Sequence, residues 1–341
     1  MTVLRRLAAL AAAFTLLALP ASALAQGNVI KLATLVPEGS VWDKALREMG
    51  SQWSQATGGR VTLRLYPGGV AGDETDVVRK MRIGQLQAAA VTTVGLASID
   101  PAFNLFNSPM FFESYPELYA TLRAMEPDLR KRLDAKGFVL LAWGHGGWVY
   151  FFTKTPVSDI AGLRKVKMYT WAGDDAMVQR WKSNGFQPVA LAMTDIVTGL
   201  QTGMIDATPG TPLITLFTQG YKQTPNMMGL GLAPLVGGLV ISKAAWNKIP
   251  EADRTRLMES TSTLQKRLEV EVPRQDTLAV TEMRKRGLAV NAVTPAAAAE
   301  FRQLAERFSS DMRVTAVPPE VVDAARRARD AFRAQNGKAG R

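Results

Sequence analysis

The sequence predicts an α/β protein with two lobes that face each other across a cleft. Strand-like and helix-like segments alternate through residues 29–93, a second alternation begins near His145, and an apolar strand-like segment at 235–242 leads back to the first unit. Such alternation is typical of open, mostly parallel sheets. Two units joined by crossing strands leave a cleft between them, and we expect this cleft to bind a small solute and to close by hinge motion.

The first unit shows both periodicities clearly. Trp42, Leu46, Met49 and Trp53 recur at helical spacing, whereas 60–66 alternates polar and apolar residues as a half-buried strand does. The predicted order is strand 29–36, helix 40–56, strand 60–66, helix 73–83 and strand 86–93.

The second unit is predicted from shorter segments. We expect a strand at 162–168, helices at 172–184 and 194–202, and a strand that begins at 204–207. A long charged helix follows at 251–286. Pro273 lies inside that helix and is expected to kink or divide it, because proline has no N–H donor and its ring clashes with the preceding turn.

The first 25 residues have the features of a secretory signal peptide. Arg5 and Arg6 precede an uncharged apolar run at 7–19, and Ala-Leu-Ala at 23–25 is a cleavage motif. The apolar run is shorter than the ~20 residues that span a bilayer. We therefore expect a cleaved signal and a periplasmic protein, with an uncleaved anchor as the alternative.

The composition excludes several classes of protein. The chain has no cysteine and one histidine, His145, which excludes a disulfide scaffold, thiol catalysis and a histidine-rich metal site. The net charge of +11 suits anionic partners, but the export signal disfavours nucleic acid. No G-x-S-x-G elbow, Walker loop or complete G-x-G-x-x-G fingerprint occurs, so we expect no enzyme and no cofactor.

Several short motifs occur in a shared order along the chain. They are TGGRV at 57–61, YPGG at 66–69, GDE at 72–74, GQLQAA at 84–89, SPMFF at 108–112, DIAGL at 159–163 and GLQTGMID at 199–206. Together they resemble the periplasmic receptors of tripartite ATP-independent (TRAP) transporters over roughly 28–315. The resemblance implies a two-lobed receptor with a long helix across its back, which delivers a small organic acid to a membrane permease.

The resemblance also suggests how the chain is divided. We expect a monomer rather than a dimer. The predicted division is signal peptide 1–25, first lobe 26–146 plus 237–275, second lobe 147–236 plus 276–325, and a solvated basic tail at 326–341.

In the family that the chain resembles, an arginine on a strand of the second lobe binds the ligand carboxylate. Taking Val166 and Met168 as the inward pair places Lys167 at that position. Lysine can pair with a carboxylate, although without the two-pronged geometry of a guanidinium. An alignment without a gap would place Val166 there, and a solvated Lys167 is the other alternative.

Other ligand positions of the family are less polar in this chain. They fall on Leu35, Thr92, Val149, Met193 and Gly210. An unpaired buried polar group costs about 1–3 kcal/mol, so this site is unsuited to a highly hydroxylated acid. We therefore predict a less polar monocarboxylate paired with Lys167, with an uncharged apolar solute as the alternative.

Three aromatic residues complete the predicted site, namely Trp148, Tyr169 and Trp171. Core packing is the alternative role for each of them. His145 lies in a glycine-rich stretch near the expected lobe crossing, where it either contacts the ligand or serves as a structural hydrogen-bonding group. A periplasmic ligand sensor that partners a signalling protein remains a second functional hypothesis.

Overall fold

The computed structural model describes residues 27–339, so the predicted signal peptide lies outside the described residues. The strands are β1 (Asn28–Thr34), β2 (Val61–Tyr66), β3 (Ala88–Thr92), β4 (Phe138–Thr153), β5 (Lys167–Trp171), β6 (Gln187–Leu191), β7 (Ala207–Gly210), β8 (Asn226–Met228), β9 (Ala233–Ser242) and β10 (Ala289–Asn291).

Helices connect these strands and cover the sheet. They are α1 (Val41–Ala56), α2 (Glu74–Arg82), α3 (Thr93–Ile99), α4 (Tyr115–Ala135), α5 (Ile160–Leu163), α6 (Asp175–Ser183), α7 (Ile196–Gln201), α8 (Pro212–Phe217), α9 (Lys243–Trp246), α10 (Glu251–Lys285), α11 (Pro295–Thr315) and α12 (Pro319–Ala339). Three 3₁₀ turns lie at Pro101–Asn107, Met193–Asp195 and Gly220–Lys222. Within the described part of the chain, no helix combines the length and apolar character of a membrane span.

Strand β4 belongs to both lobes. In the first lobe the strand order is β2-β1-β3-β9-β4, and in the second it is β4-β7-β5-β6, with β8 also paired to β4 and β10 to β8. The pairing of β4 with β9 extends from Phe138 to Val149, and its pairing with β7 covers Tyr150 to Thr153. The register shifts between His145 and Trp148, which makes an irregularity where the strand passes between the lobes.

The strand predicted at 162–168 is wrong in its position. The backbone forms the short helix α5 first, because the Asp159 carboxylate accepts a hydrogen bond from the Gly162 N–H at 2.7 Å and caps that helix. Strand β5 therefore starts at Lys167, so this residue stands at the beginning of the strand rather than near its end.

Helix α10 runs across both lobes and continues through Pro273, so the proline does not divide it. Proline leaves the carbonyl four residues earlier without its helical donor, and that carbonyl belongs to Glu269. The Tyr119 hydroxyl on α4 donates to the Glu269 oxygen at 3.1 Å. A side chain thus replaces the missing backbone hydrogen bond.

The C-terminal helix α12 packs on α4 of the first lobe. Val321, Val322 and Ala325 are buried in the same core as α4. Arg333 donates to the buried Glu117 at 2.6 Å, which fixes the helix beyond the apolar contact. Residues 319–325 were expected to lie in the second lobe, but their apolar face packs on the first. Of the tail predicted at 326–341, none of residues 326–336 is buried.

Candidate functional site

A cavity of about 360 Å³ lies between the two lobes. The first lobe contributes Leu35, just after β1, and Thr92, which ends β3. The second lobe contributes Trp171 at the end of β5 and Gly210 at the end of β7. Ligands of open α/β sheets commonly bind beyond the carboxyl ends of parallel strands, and this cavity occupies that position.

The structure brings together most of the residues that the sequence assigns to the site. Those that line the cavity are Leu35, Thr92, His145, Val149, Tyr169, Trp171, Met193 and Gly210. Trp148 and Lys167 are not among the lining residues.

Lys167 lies outside the cavity because of where β5 begins. It shares a strand face with Tyr169 and Trp171, but it stands at the amino end of the strand, away from the cleft. Its ammonium group donates to the Gly203 carbonyl and lies 3.8 Å from Asp206 Oδ2. The structure therefore does not support a pairing of Lys167 with a ligand carboxylate, and Tyr169 takes the cavity-facing position.

Trp148 lines a separate groove beside α10. Its indole stands at 86° to the Tyr115 ring, with the centroids 5.3 Å apart. It also packs so closely on Gly231 that a Cβ there would lie 2.4 Å from the indole nitrogen. The core-packing alternative therefore describes this tryptophan better than ligand contact does.

The sequence reasoning missed much of the apolar lining. The missed side chains include Val91, Ile196, Val197, Leu213, Ile214, Phe217, Leu235, Leu264 and Leu268. Most of these side chains come from helices α7, α8 and α10, and the others from strands β3 and β9. The apolar pattern of a helix alone does not show which face meets a ligand.

The lining contains one charged side chain, Glu74, and neither lysine nor arginine among the described residues. The Glu74 carboxylate accepts three hydrogen bonds of 2.8 Å, from the N–H and hydroxyl of Thr92 and from the Gly95 N–H. These bonds cap the start of α3. Burial nevertheless raises the pKa of Glu74 to about 7, because desolvation outweighs the hydrogen bonds that favour the charged form.

The hydrogen bonds around His145 fix its tautomer. The Glu269 carbonyl can only accept, so the Tyr119 hydroxyl donates to it, and the Tyr119 oxygen accepts from His145 Nε2 at 2.6 Å. His145 Nδ1 is then an unprotonated acceptor. Burial lowers the pKa of His145 to about 4, so the ring is neutral at neutral pH.

Four residues that line the cavity each carry a buried polar atom that has no hydrogen-bond partner within residues 27–339. These atoms are Trp42 Nε1, Trp143 Nε1, His145 Nδ1 and the Tyr169 hydroxyl oxygen. Trp42 itself packs on the backbone at Gly144, where a Cβ would lie 2.5 Å from its ring. The cavity thus combines a mainly apolar lining with uncharged polar side chains, among them Ser40, Asn107, Gln265 and several threonines.

The two lobes touch beside the cavity. The Trp171 indole N–H donates to Asp73 Oδ2 at 2.9 Å, and Asp73 also caps helix α2 of the first lobe through the Glu74 N–H. One residue of each lobe therefore takes part in a direct link across the cleft.

Two α/β lobes that share crossing strands and enclose such a cavity define a cleft-type solute-binding protein. The chain belongs to the family described as bacterial extracellular solute-binding protein, family 7, whose profile matches residues 32–313. Members of this family are periplasmic solute receptors.

Characterised relatives and solved structures agree with this assignment. The C4-dicarboxylate-binding periplasmic protein DctP of Rhodobacter capsulatus is 25% identical over 250 residues, which cover 71% of this chain and 73% of the relative. The 2,3-diketo-L-gulonate-binding periplasmic protein YiaO of Escherichia coli is 24% identical over 221 residues, covering 63% of this chain and 66% of the relative.

The fold is also that of solved TRAP receptors. The Bordetella pertussis receptor DctP7, which binds pyroglutamic acid, superposes with a TM-score of 0.81 at 19% identity, covering 87% of this chain and 99% of that one. A TRAP solute-binding protein from Desulfovibrio salexigens with bound orotic acid gives 0.83 at 15% identity, covering 89% and 99%.

Proposed function

We propose that this protein is the periplasmic receptor of a TRAP transporter and that it delivers a small, mainly apolar, uncharged solute to a membrane permease. Family membership supports the receptor role. The observation that carries the solute class is the lining of the cavity, which has no lysine or arginine among the described residues and whose one charged side chain is Glu74.

An anionic solute has little to bind in this cavity. A carboxylate that leaves water needs a cation or several hydrogen-bond donors, because desolvation costs several kcal/mol. The N–H groups at the start of α3 are directed at Glu74, and the Leu213 N–H of α8 is directed at Asp276. The protein's own carboxylates thus occupy the starts of α3 and α8, two of the helix starts that border the cavity.

An apolar solute is stabilised by the same lining. Each 100 Å² of apolar surface that it buries contributes roughly 2.5 kcal/mol. Trp42 Nε1 and the Tyr169 hydroxyl are buried donors and His145 Nδ1 is a buried acceptor, all without a partner within residues 27–339. A small shift of these side chains would let a carbonyl, ether or hydroxyl group of the solute pair with them. These groups favour a neutral solute with one or two polar atoms over a carboxylic acid anion.

The organic acids that the relatives bind do not identify the solute of this protein, because Lys167, the basic residue predicted to hold a carboxylate, lies outside the cavity. Native mass spectrometry of protein purified from the periplasm, followed by extraction and identification of the released solute, tests the proposal. We expect a neutral compound of low polarity. A sugar acid or a dicarboxylate bound at one equivalent would refute the solute class while leaving the receptor role intact.

A further inference from the structure

Asp276 joins three elements where β4 passes between the lobes. It lies on α10, one turn after Pro273, and it is 6% exposed. Its Oδ2 accepts from the Trp148 N–H of β4 at 2.9 Å, and its Oδ1 accepts from the Leu213 N–H of α8 at 3.0 Å. One carboxylate thus joins α10 to β4 and to α8, a helix that borders the cavity.

The backbone of β4 is shaped to admit this carboxylate. Gly147, which precedes Trp148, has a φ of +109°, a conformation that glycine adopts far more readily than other residues. A Cβ at Gly147 would lie 2.4 Å from Asp276 Oδ2. The register irregularity of β4 and the position of Asp276 therefore depend on each other.

The second acceptor bond holds the first turn of α8, which the Thr211 side chain also caps. Pro212 occupies the first helical position and has no N–H, so the Leu213 N–H is the first donor that the helix offers. Leu213, Ile214 and Phe217 all line the cavity. A shift at the start of this helix would move three apolar side chains of the ligand site together.

We propose that Asp276 is a positioning residue for solute binding. It holds α8, whose apolar side chains line the cavity, against α10 without touching the solute. This proposal rests on the function proposed above. Asparagine cannot replace the carboxylate, because it has one acceptor oxygen and must leave one of the two N–H groups facing its own amide hydrogens.

The groove around Asp276 contains other titratable and charged groups. Tyr115 and Tyr150 face it from α4 and β4, and Glu113 and Arg302 line the same groove. Burial raises the pKa of Asp276 to about 6, whereas the two backbone donors act in the opposite direction. Burial raises the pKa of both tyrosines further above 10, so neither loses its proton in the pH range in which Asp276 titrates.

The test compares Asp276→Asn with Glu282→Gln, which makes the same acid-to-amide change on the same helix at a residue paired with Arg286 on the surface. Hydrogen–deuterium exchange of the 209–217 peptide and binding of the neutral fluorophore N-phenyl-1-naphthylamine are measured. For Asp276→Asn we expect exchange at least tenfold faster and probe affinity about 5- to 20-fold weaker. The control should match the wild type in both.

Unchanged exchange in a folded Asp276→Asn protein would overturn the proposal. If that variant fails to fold, the wild type is followed from pH 7.5 to 5 with exchange corrected for its intrinsic rate. An opening of α8 that breaks the Leu213 N–H bond while Asp276 stays buried removes a donor that favours the charged carboxylate, so protonation favours this opening. Loosening of 209–217 as the pH falls through about 6 then supports the proposal, and a flat or opposite profile contradicts it. Exchange requires no ligand, so a wild type that binds no solute refutes the proposed function separately.

Discussion

The Trp171 indole nitrogen lies 2.9 Å from Asp73 Oδ2, and this hydrogen bond joins the second lobe to the first beside the cavity. Both residues belong to elements that border the cleft, since Trp171 ends β5 and Asp73 caps α2. The bond can form only when the lobes are close together. It therefore stabilises the closed receptor directly.

The first prediction concerns this bond. Trp171→Phe keeps an aromatic ring at the cavity but removes the donor, and we expect solute to dissociate about 5- to 10-fold faster, as a loss of about 1 kcal/mol implies. Stopped-flow release of the identified solute or of N-phenyl-1-naphthylamine measures it. Trp181→Phe, in the core of the second lobe, is the matched control and should leave the release rate unchanged. Equal rates for all three proteins would show that the bond does not hold the lobes together.

The second prediction concerns Lys167. Lys167→Ala should change the solute dissociation constant by less than twofold, because the ammonium group is bound to Gly203 and Asp206 outside the cavity. Isothermal titration calorimetry measures it. A loss of affinity greater than tenfold in a folded variant would restore the carboxylate-binding role that the sequence pattern suggested for this lysine.

The third prediction uses the fact that the chain has one histidine. The folded pKa of His145, about 4, lies below the ordinary value of 6.5, so its contribution to stability is complete above pH 6.5 and is lost as the pH falls towards 4. Relative to His145→Gln, the wild type should lose about 3 kcal/mol of unfolding free energy between pH 7 and 4.

Urea unfolding at several pH values measures this loss, and the imidazole NMR signal of untagged protein gives the pKa itself. Burial raises the pKa values of Glu74 and Asp276, so their contributions fall as the pH rises. The difference between variant and wild type isolates His145 from them. An NMR midpoint near 6.5 would contradict a buried, neutral ring.

The fourth prediction concerns Gly144. A Cβ at this position would lie 2.5 Å from Trp42, so Gly144→Ala must push the indole out of its place beside the cavity. We expect solute affinity to fall at least tenfold and the unfolding free energy to fall by about 1–3 kcal/mol, as overpacking usually costs. Gly137→Ala, in a turn where a Cβ meets nothing within 4 Å but φ is +82°, loses stability through backbone strain without touching Trp42. It controls for a general loss of stability and should keep the solute affinity of the wild type.

Much of the fold could be predicted from periodicity, because helices and strands of the first lobe carry regular apolar patterns. Trp53, at helical spacing from Met49 and Leu46, is fully buried as expected. The second lobe was harder to predict from the sequence, because its strands are short and local capping decides where they begin. Asp159 started a helical turn inside the predicted strand, and the shift moved Lys167 away from the cleft.

The candidate site, too, could be predicted from the sequence only in part. Leu35 and Gly210, which the family resemblance assigned to the site, line the cavity because the carboxyl ends of parallel strands converge there. That they contact a ligand stays a prediction. The role of Tyr119 could not be predicted, because it depends on a carbonyl of α10 that Pro273 leaves without a partner. Contacts between residues so distant in sequence have no local signal.

The most direct test of the account is calorimetric titration with matched pairs of solutes that differ only in charge, such as phenylacetamide with phenylacetate and hexanamide with hexanoate. Each pair is measured at low and at high salt. We expect the neutral member to bind at least tenfold more tightly and salt to have little effect on its affinity. Tighter binding of the carboxylates, weakened by salt, would contradict an uncharged solute in this cavity.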